Sequence, residues 1–208
     1  IIGGYLPILI YRELMGIFSA KSFMINNATK RIVILGAGGF IGFHVARALS
    51  QSIDLELILI DNFINSERDF EFSKLINKNT VEYINIDLSK ESNYENLFKR
   101  EDIVINCAAL NGTQNFYTSP TLVLRNSAIT AILAAEFAAK IGVQKYIYLG
   151  SSESYAGGLN LNLFDLPTPE NVPLTVPDIR NPRWSYGISK TIGEVSTISN
   201  HFEFNLNY

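Results

Sequence analysis

Tyr186 and Lys190 stand four residues apart in Trp184-Ser185-Tyr186-Gly187-Ile188-Ser189-Lys190. On a helix that spacing puts both side chains on one face, about 5–6 Å apart at Cβ. An ammonium beside a phenol favours the phenolate, and a phenolate is a general base for a hydroxyl proton. Bringing a tyrosine from about 10 to near 7 takes about 4 kcal/mol. One unit charge at about 4 Å supplies energy of that order at an effective dielectric near 20. A second feature lies far upstream, in Gly36-Ala37-Gly38-Gly39-Phe40-Ile41-Gly42. Glycines at 36, 39 and 42 allow a tight turn, bring loop N–H groups against a pyrophosphate and let a helix pack close to a strand. The spacing is G-x-x-G-x-x-G, because Ile41 breaks the commoner G-x-G-x-x-G. Asp61, in Leu59-Ile60-Asp61-Asn62, follows Gly42 by nineteen positions. A carboxylate there accepts both adenosine ribose hydroxyls and repels a 2′-phosphate, so the sequence predicts a dinucleotide site that takes NAD in preference to NADP.

Other residues extend this set. Asp87, in Ile86-Asp87-Leu88, closes an apolar run where an adenine would lie, or serves only as a turn or cap residue. Asn106-Cys107-Ala108-Ala109 closes the next run with small side chains, as a cofactor passing close to the backbone requires. Cys107 reads as a small buried hydrophobe with no base beside it. Gly38, Phe40, Ile41, Asn62 and Leu88 complete the predicted cofactor-binding residues. Leu149-Gly150-Ser151-Ser152-Glu153-Ser154-Tyr155 offers the Ser151 hydroxyl at the carboxyl edge of a strand, where ligands of open α/β sheets bind. Glu153 is either part of that site or a solvated loop carboxylate.

Positioning these groups requires strands at 31–35, 55–60, 81–86, 102–106 and 145–149. Helices are predicted over 43–51, 67–78, 93–100, 120–141 and 184–200, and a sixth strand from Glu203. Short apolar runs separated by helices of this length indicate a parallel sheet covered on both faces. The segment 157–183 breaks the rhythm and carries five of the seven prolines. A loop that long after a central strand reads as a site border. The first apolar run, Ile1 to Tyr11, is too short for a membrane span of about 20 residues. Residues 1–29 are therefore expected to be an extension, and 30–208 a dinucleotide-binding domain.

Composition narrows the classes. With 47% apolar and 18% charged residues the chain is globular rather than disordered. A net charge of −3 gives no basic footprint for nucleic acid or an anionic membrane. One cysteine and two histidines are too few for a zinc site. A lone cysteine also fits a reducing compartment, so a cytoplasmic location is expected.

Together, Gly36/Gly39/Gly42, Asp61, Asp87, Asn106 to Ala109, Asn126, Ser151-Ser152-Glu153 and Tyr186/Lys190, in this order, resemble the extended short-chain dehydrogenase/reductases of the NAD-dependent epimerase/dehydratase family. The resemblance runs from Lys30 to Tyr208. It implies a Rossmann-type doubly wound parallel sheet, α/β in class, that stops before a C-terminal substrate domain. It also implies NAD, a UDP-, GDP- or dTDP-sugar substrate, and a homodimer built on the Ala-rich helix and the catalytic helix. Tyr186 is then the base on the sugar 4-hydroxyl, while Lys190 lowers its pKa and holds the nicotinamide ribose. Ser151 orients the substrate oxygen, and Asn126 matches the family's helix asparagine, although Ile129 replaces the usual glycine. Dehydratases of the family carry Asp-Glu where this chain has Ser152-Glu153, so epimerisation or a related conversion begun by C4 oxidation is expected. Two alternatives remain: an NAD(P)-dependent reductase or dehydrogenase acting on a hydroxysteroid or other carbonyl compound, and a non-enzymatic dinucleotide-binding regulator.

Overall fold

Five runs rich in β-branched residues form one parallel sheet in the computed structural model, which describes residues 30–52 and 54–208. The predicted extension over 1–29 lies outside the described residues. The strands are β1 (Lys30–Leu35), β2 (Leu55–Ile60), β3 (Val81–Ile84), β4 (Ile103–Asn106) and β5 (Lys145–Tyr148), in the spatial order β3-β2-β1-β4-β5. Chain direction reverses its walk across the sheet between β1 and β4, which makes their carboxyl ends the crevice of the fold.

Alternation along the strands builds two apolar layers. Ile32, Ile34, Leu57, Leu59, Ile103 and Ile105 face one side, under α1 (Phe40–Leu49) and α2 (Phe70–Ile76). Val33, Leu35, Ile58, Ile60, Val104 and Tyr146 face the other, where Ala134, Ala135, Ala138 and Ala139 of a long helix press onto them. Each fully buried Ile, Leu or Val contributes about 1.5–3 kcal/mol. Continuous apolar strands are the consequence of covering both faces. Among the described residues, that long helix (Pro120–Ile141) has the length and apolar character to cross a membrane; half of its most apolar stretch is buried in the fold.

The remaining helices are α3 (Thr113–Thr118), α4 (the long Pro120–Ile141), α5 (Ala156–Asn160) and α6 (Ser185–Phe204), which packs along α4. Several bounds differ from the expectation. The helix expected at 67–78 is shorter because Asp69 caps it, its side chain accepting from Phe72 N at 2.8 Å. The one expected at 93–100 is a 3-10 turn, Glu91–Tyr94, pinned by Tyr94, whose hydroxyl donates to Leu88 O and whose ring stacks on Phe137. The sixth strand does not start at Glu203, which is still in α6. The chain turns at Asn205 in the left-handed region, buries Leu206, and Tyr146 N then donates to Asn207 O at 2.7 Å. The segment 157–183 contains most of α5 and then runs without regular structure to Asn181, folding back so that Gly157 N donates to Thr175 O.

Candidate active site

β1 ends at Leu35, and Gly36 turns the chain with φ +76°, a conformation that side chains with a Cβ rarely adopt. A Cβ at Gly36 would also stand 2.6 Å from Ala108 Cα, so the glycine loop and the end of β4 touch backbone to backbone. A Cβ at Gly42 would collide with the Gly36 carbonyl oxygen, which explains how α1 starts so close under the loop. Gly39 caps α1 without any side-chain bond, leaving the N–H groups of Phe40, Ile41 and Gly42 without intrahelical acceptors.

Asp61 ties this loop to β2. Its Oδ2 accepts from Gly38 N at 2.9 Å and its Oδ1 from Phe63 N at 2.7 Å. A cleft opens along the carboxyl ends of β1, β2, β3 and β4. Gly36, Gly39, Asp61 and Asn62 line one end, and Asp87 and Leu88 the middle. Cys107, Ala108, Ala109 and Asn126 line its far wall. Ten of the predicted cofactor residues thus meet in one place. Gly38, Phe40, Ile41 and Gly42 shape its rim without lining it; Phe40 is 64% exposed. Asp87 is also a turn residue, its Oδ1 accepting from Ser89 N and Ser89 Oγ. Burial works to raise its carboxyl, but those bonds and Lys90 outweigh it and leave it below the ordinary range. The Cys107 thiol is pushed up to about 12 by burial, which suits an inert wall.

Sequence reasoning missed a tie at the edge of this cleft, where Asn65 lines it. Asn65 Nδ2 donates to Asn111 O at 2.7 Å, and Asn115 Nδ2 donates to Asn65 Oδ1 at 2.8 Å, joining the loop after β2 to α3. Nothing in three separated asparagines announces such a contact.

The cleft fits a dinucleotide. Free first-turn N–H groups at a helix start suit a pyrophosphate, the approach of Gly36 to Ala108 leaves no side chain in the way, and a carboxylate stands at the strand end. Among the described residues, no three His, Cys, Asp or Glu side chains gather as a metal site.

The second group of residues lies at the end of β5 and the start of α6. Ser151 caps the 3-10 turn Ser152–Tyr155, its Oγ accepting from Glu153 N at 3.2 Å and keeping its proton to donate. A Cβ at Gly187 would stand 2.9 Å from Glu153 O, so α6 seats Tyr186 directly against this turn. Tyr186 stacks on Phe116 with centroids 5.5 Å apart. Lys190 is only 3% exposed; its Nζ donates to Leu149 O at 2.7 Å and lies 5.8 Å from the Tyr186 ring centroid. Glu153, Tyr186 and Lys190 are therefore brought together beside the cleft rather than lining it, while Ser151, at the start of the turn that carries Glu153, lines a separate cavity with Tyr155 and Glu194.

Their electrostatics differ from the expectation. The Lys190 ammonium does not lower Tyr186 here. Burial first, and the Glu153 charge second, push the phenol up to about 12. Lys190 itself is lowered to about 8 by burial, and its proton-bearing nitrogen is directed at the Leu149 carbonyl. The i, i+4 spacing was legible, but the destination of the lysine nitrogen was not.

The fold recurs in known proteins. The profile of the NAD dependent epimerase/dehydratase family matches residues 32–208. The dTDP-D-glucose 4,6-dehydratase of Dictyostelium discoideum is 24% identical over 180 residues, covering 85% of this chain and 42% of its own length. The UDP-glucose 4-epimerase of Neisseria gonorrhoeae is 27% identical over 170 residues, covering 78% of this chain and 46% of its own. A UDP-glucuronic acid 4-epimerase from Bacillus cereus, solved in complex with NAD, superposes with a TM-score of 0.66 at 20% identity, over 85% of this chain and 54% of that one. The chain spans less than half the length of either curated relative. Its Rossmann-like parallel sheet is that of these enzymes, and the chain belongs to the NAD dependent epimerase/dehydratase family.

Proposed function

We propose that residues 30–208 bind NAD in the cleft at the carboxyl ends of β1 to β4 and take part in converting a nucleotide sugar by transient oxidation at C4. The observation that supports this reading is Tyr186 with Lys190 on one helix face and Glu153 against the phenol, beside a cleft with a glycine loop and an acidic strand end. Bound NAD supplies the hydride acceptor. Asp61 receives the adenosine ribose hydroxyls on the lone pairs that Gly38 N and Phe63 N leave free. The first turn of α1 faces the pyrophosphate, and Ala108 and Ala109 give it room. The Ser151 hydroxyl donates to the sugar 4-oxygen, and Tyr186 Oη takes the 4-hydroxyl proton as C4 is oxidised. The positive charge that the nicotinamide ring brings opposes the burial that raises Tyr186, and Lys190 anchors the nicotinamide ribose. Once C4 is a ketone, neighbouring C–H bonds become acidic, and Glu153 is placed to handle a second proton. Asn126, whose side-chain amide makes no hydrogen bond among the described residues, lines the cleft as a further polar contact. A second copy of the chain packs on the outer faces of α4 and α6, and the protein works in the cytoplasm.

The experiment is a rate measurement with UDP-, GDP- and dTDP-sugars at saturating NAD, beside calorimetric binding of NAD. Tyr186→Phe lowers turnover by about 10²–10⁴-fold, the worth of a general base, and leaves NAD affinity within a few-fold. Retention of more than about a tenth of the activity means the phenol is not the base. Net formation of NADH in step with product favours the dehydrogenase reading, since epimerisation returns the hydride.

A further inference from the structure

We propose that Arg183, which no part of the assignment above uses, is a positioning residue for Tyr186: its guanidinium holds the Glu153 carboxylate and lies over the Phe116 ring stacked on the phenol. The inference rests on Tyr186 being the base, and its experiment separates the two.

Arg183 sits in the 3-10 turn Pro182–Trp184 that leads into α6, three residues before Tyr186. That turn is fixed by Asn181, whose Oδ1 accepts from Arg183 N at 3.1 Å. The Arg183 side chain reaches back across thirty residues, and its Nη2 donates to Glu153 Oε1 at 2.9 Å. Its Cζ lies 5.7 Å from the Phe116 ring centroid and 5.5 Å from that of Trp184. Phe116 is 3% exposed, packs with Leu110 and Val123, and stacks on the Tyr186 ring. One cation therefore touches both the anion and the ring packed against the phenol.

The chemistry follows from the second oxygen of Glu153. Oε2 is buried and has no hydrogen-bond partner, so the carboxylate depends on Arg183 for its compensation. A carboxylate left alone beside a phenol disfavours the phenolate, whereas one paired with a guanidinium has much of its field cancelled. The charged and titratable groups facing Tyr186 are Glu153 from the turn after β5, Tyr148 from β5, Lys190 from its own helix and Arg183 from the preceding turn. Cys107 and Glu194 act on Lys190 from behind. Of these, Glu153 is the anion that opposes ionisation of Tyr186, and Arg183 is its ion-pair partner. Substrate need not touch Arg183 for it to matter.

Two measurements on the full chain test this. The first uses 13Cζ-tyrosine NMR of the cofactor-free protein, with Tyr186 identified by Tyr186→Phe. At pH 11 the Tyr186 phenolate fraction is about a tenth, from its position near 12. Arg183→Gln lowers that fraction about threefold or more, Glu153→Gln raises it, and the double variant returns to or above wild type. The second is the pH dependence of kcat at saturating NAD. Arg183→Gln moves its acid limb up by about one unit, so the rate near neutral pH falls about tenfold while the alkaline plateau and KM stay. Arg183→Lys, which keeps the charge but loses the planar stack, restores half or more of the shift. Equal loss at every pH without rescue by lysine, or a phenolate fraction indifferent to Arg183→Gln, overturns the proposal. Because the NMR titration needs no turnover, it reads Arg183 even if Tyr186→Phe stays active and the base is assigned elsewhere.

Discussion

Replacing Asp61 by alanine tests fold and cofactor choice in one variant. The carboxylate accepts two backbone N–H bonds, from Gly38 at 2.9 Å and from Phe63 at 2.7 Å. Hydrogen bonds to a charged acceptor are worth about 1.5–3 kcal/mol each when well buried. Asp61 is only partly buried, so about 2 kcal/mol for the two together is the reasonable magnitude. Asp61→Ala should therefore lower the unfolding free energy by about 2 kcal/mol, read from urea denaturation at constant slope. The second effect is on selectivity. If the carboxylate receives the ribose hydroxyls, the wild-type chain prefers NAD over NADP by at least about tenfold, or 1.4 kcal/mol. In Asp61→Ala that ratio falls towards one, mainly through weaker NAD. Asp61→Asn separates the two effects. Its oxygen still accepts from Phe63 N, but its NH2 is set against the Gly38 N–H, so selectivity is lost with a stability loss of only about 1 kcal/mol. Calorimetry with both cofactors gives the ratio directly. A folded Asp61→Ala with an unchanged NAD to NADP ratio refutes the ribose assignment, and an unchanged denaturation midpoint refutes the view that Asp61 braces the glycine loop.

Lys190 binds its proton near pH 8 folded and near 10.5 unfolded, so between those values the unfolded chain holds more protons and stability rises with pH. The gain from pH 8 to 10 is about 2 kcal/mol; Lys190→Met should remove it from urea midpoints at pH 7.5 and 9.5, before Tyr186, raised to about 12, begins to subtract above pH 10. Arg31 and Asp102 form a buried ion pair at the amino-terminal side of the sheet, with Arg31 Nη1 2.8 Å from Asp102 Oδ1. Arg31→Met strands a carboxylate that burial already raises, and should cost about 3–5 kcal/mol by the same denaturation assay. Leu122, Leu124, Val195 and Ile198 are apolar and exposed on α4 and α6; if a second copy covers them, sedimentation gives a dimer that Ile198→Glu converts to monomer.

The sheet and its long helix were readable because their signals are continuous. β2 and α4 take the predicted bounds, 55–60 and 120–141, since apolar period and flanking breakers coincide there. α3 was missed: Thr113-Gln-Asn-Phe-Tyr-Thr118 is polar with one buried side chain, Phe116, and shows no helical period. The site was legible where one motif is local, as in the glycine loop, and illegible where a side chain reaches across the chain. Arg183 meets Glu153, and Asn65 meets Asn115, through contacts 30 and 50 residues apart that spacing does not encode. The direction of the Lys190 nitrogen is of the same kind, because a backbone carbonyl captured it.

α3 has a mechanical consequence. Asn115 is tied to Asn65, which lines the cleft, and the adjacent residue, Phe116, stacks on the ring of Tyr186. Six residues of helix thus carry two long-range contacts on neighbouring residues. A substitution at Asn115 therefore reaches both the edge of the cleft, through Asn65, and the ring packed on Tyr186, through its neighbour Phe116.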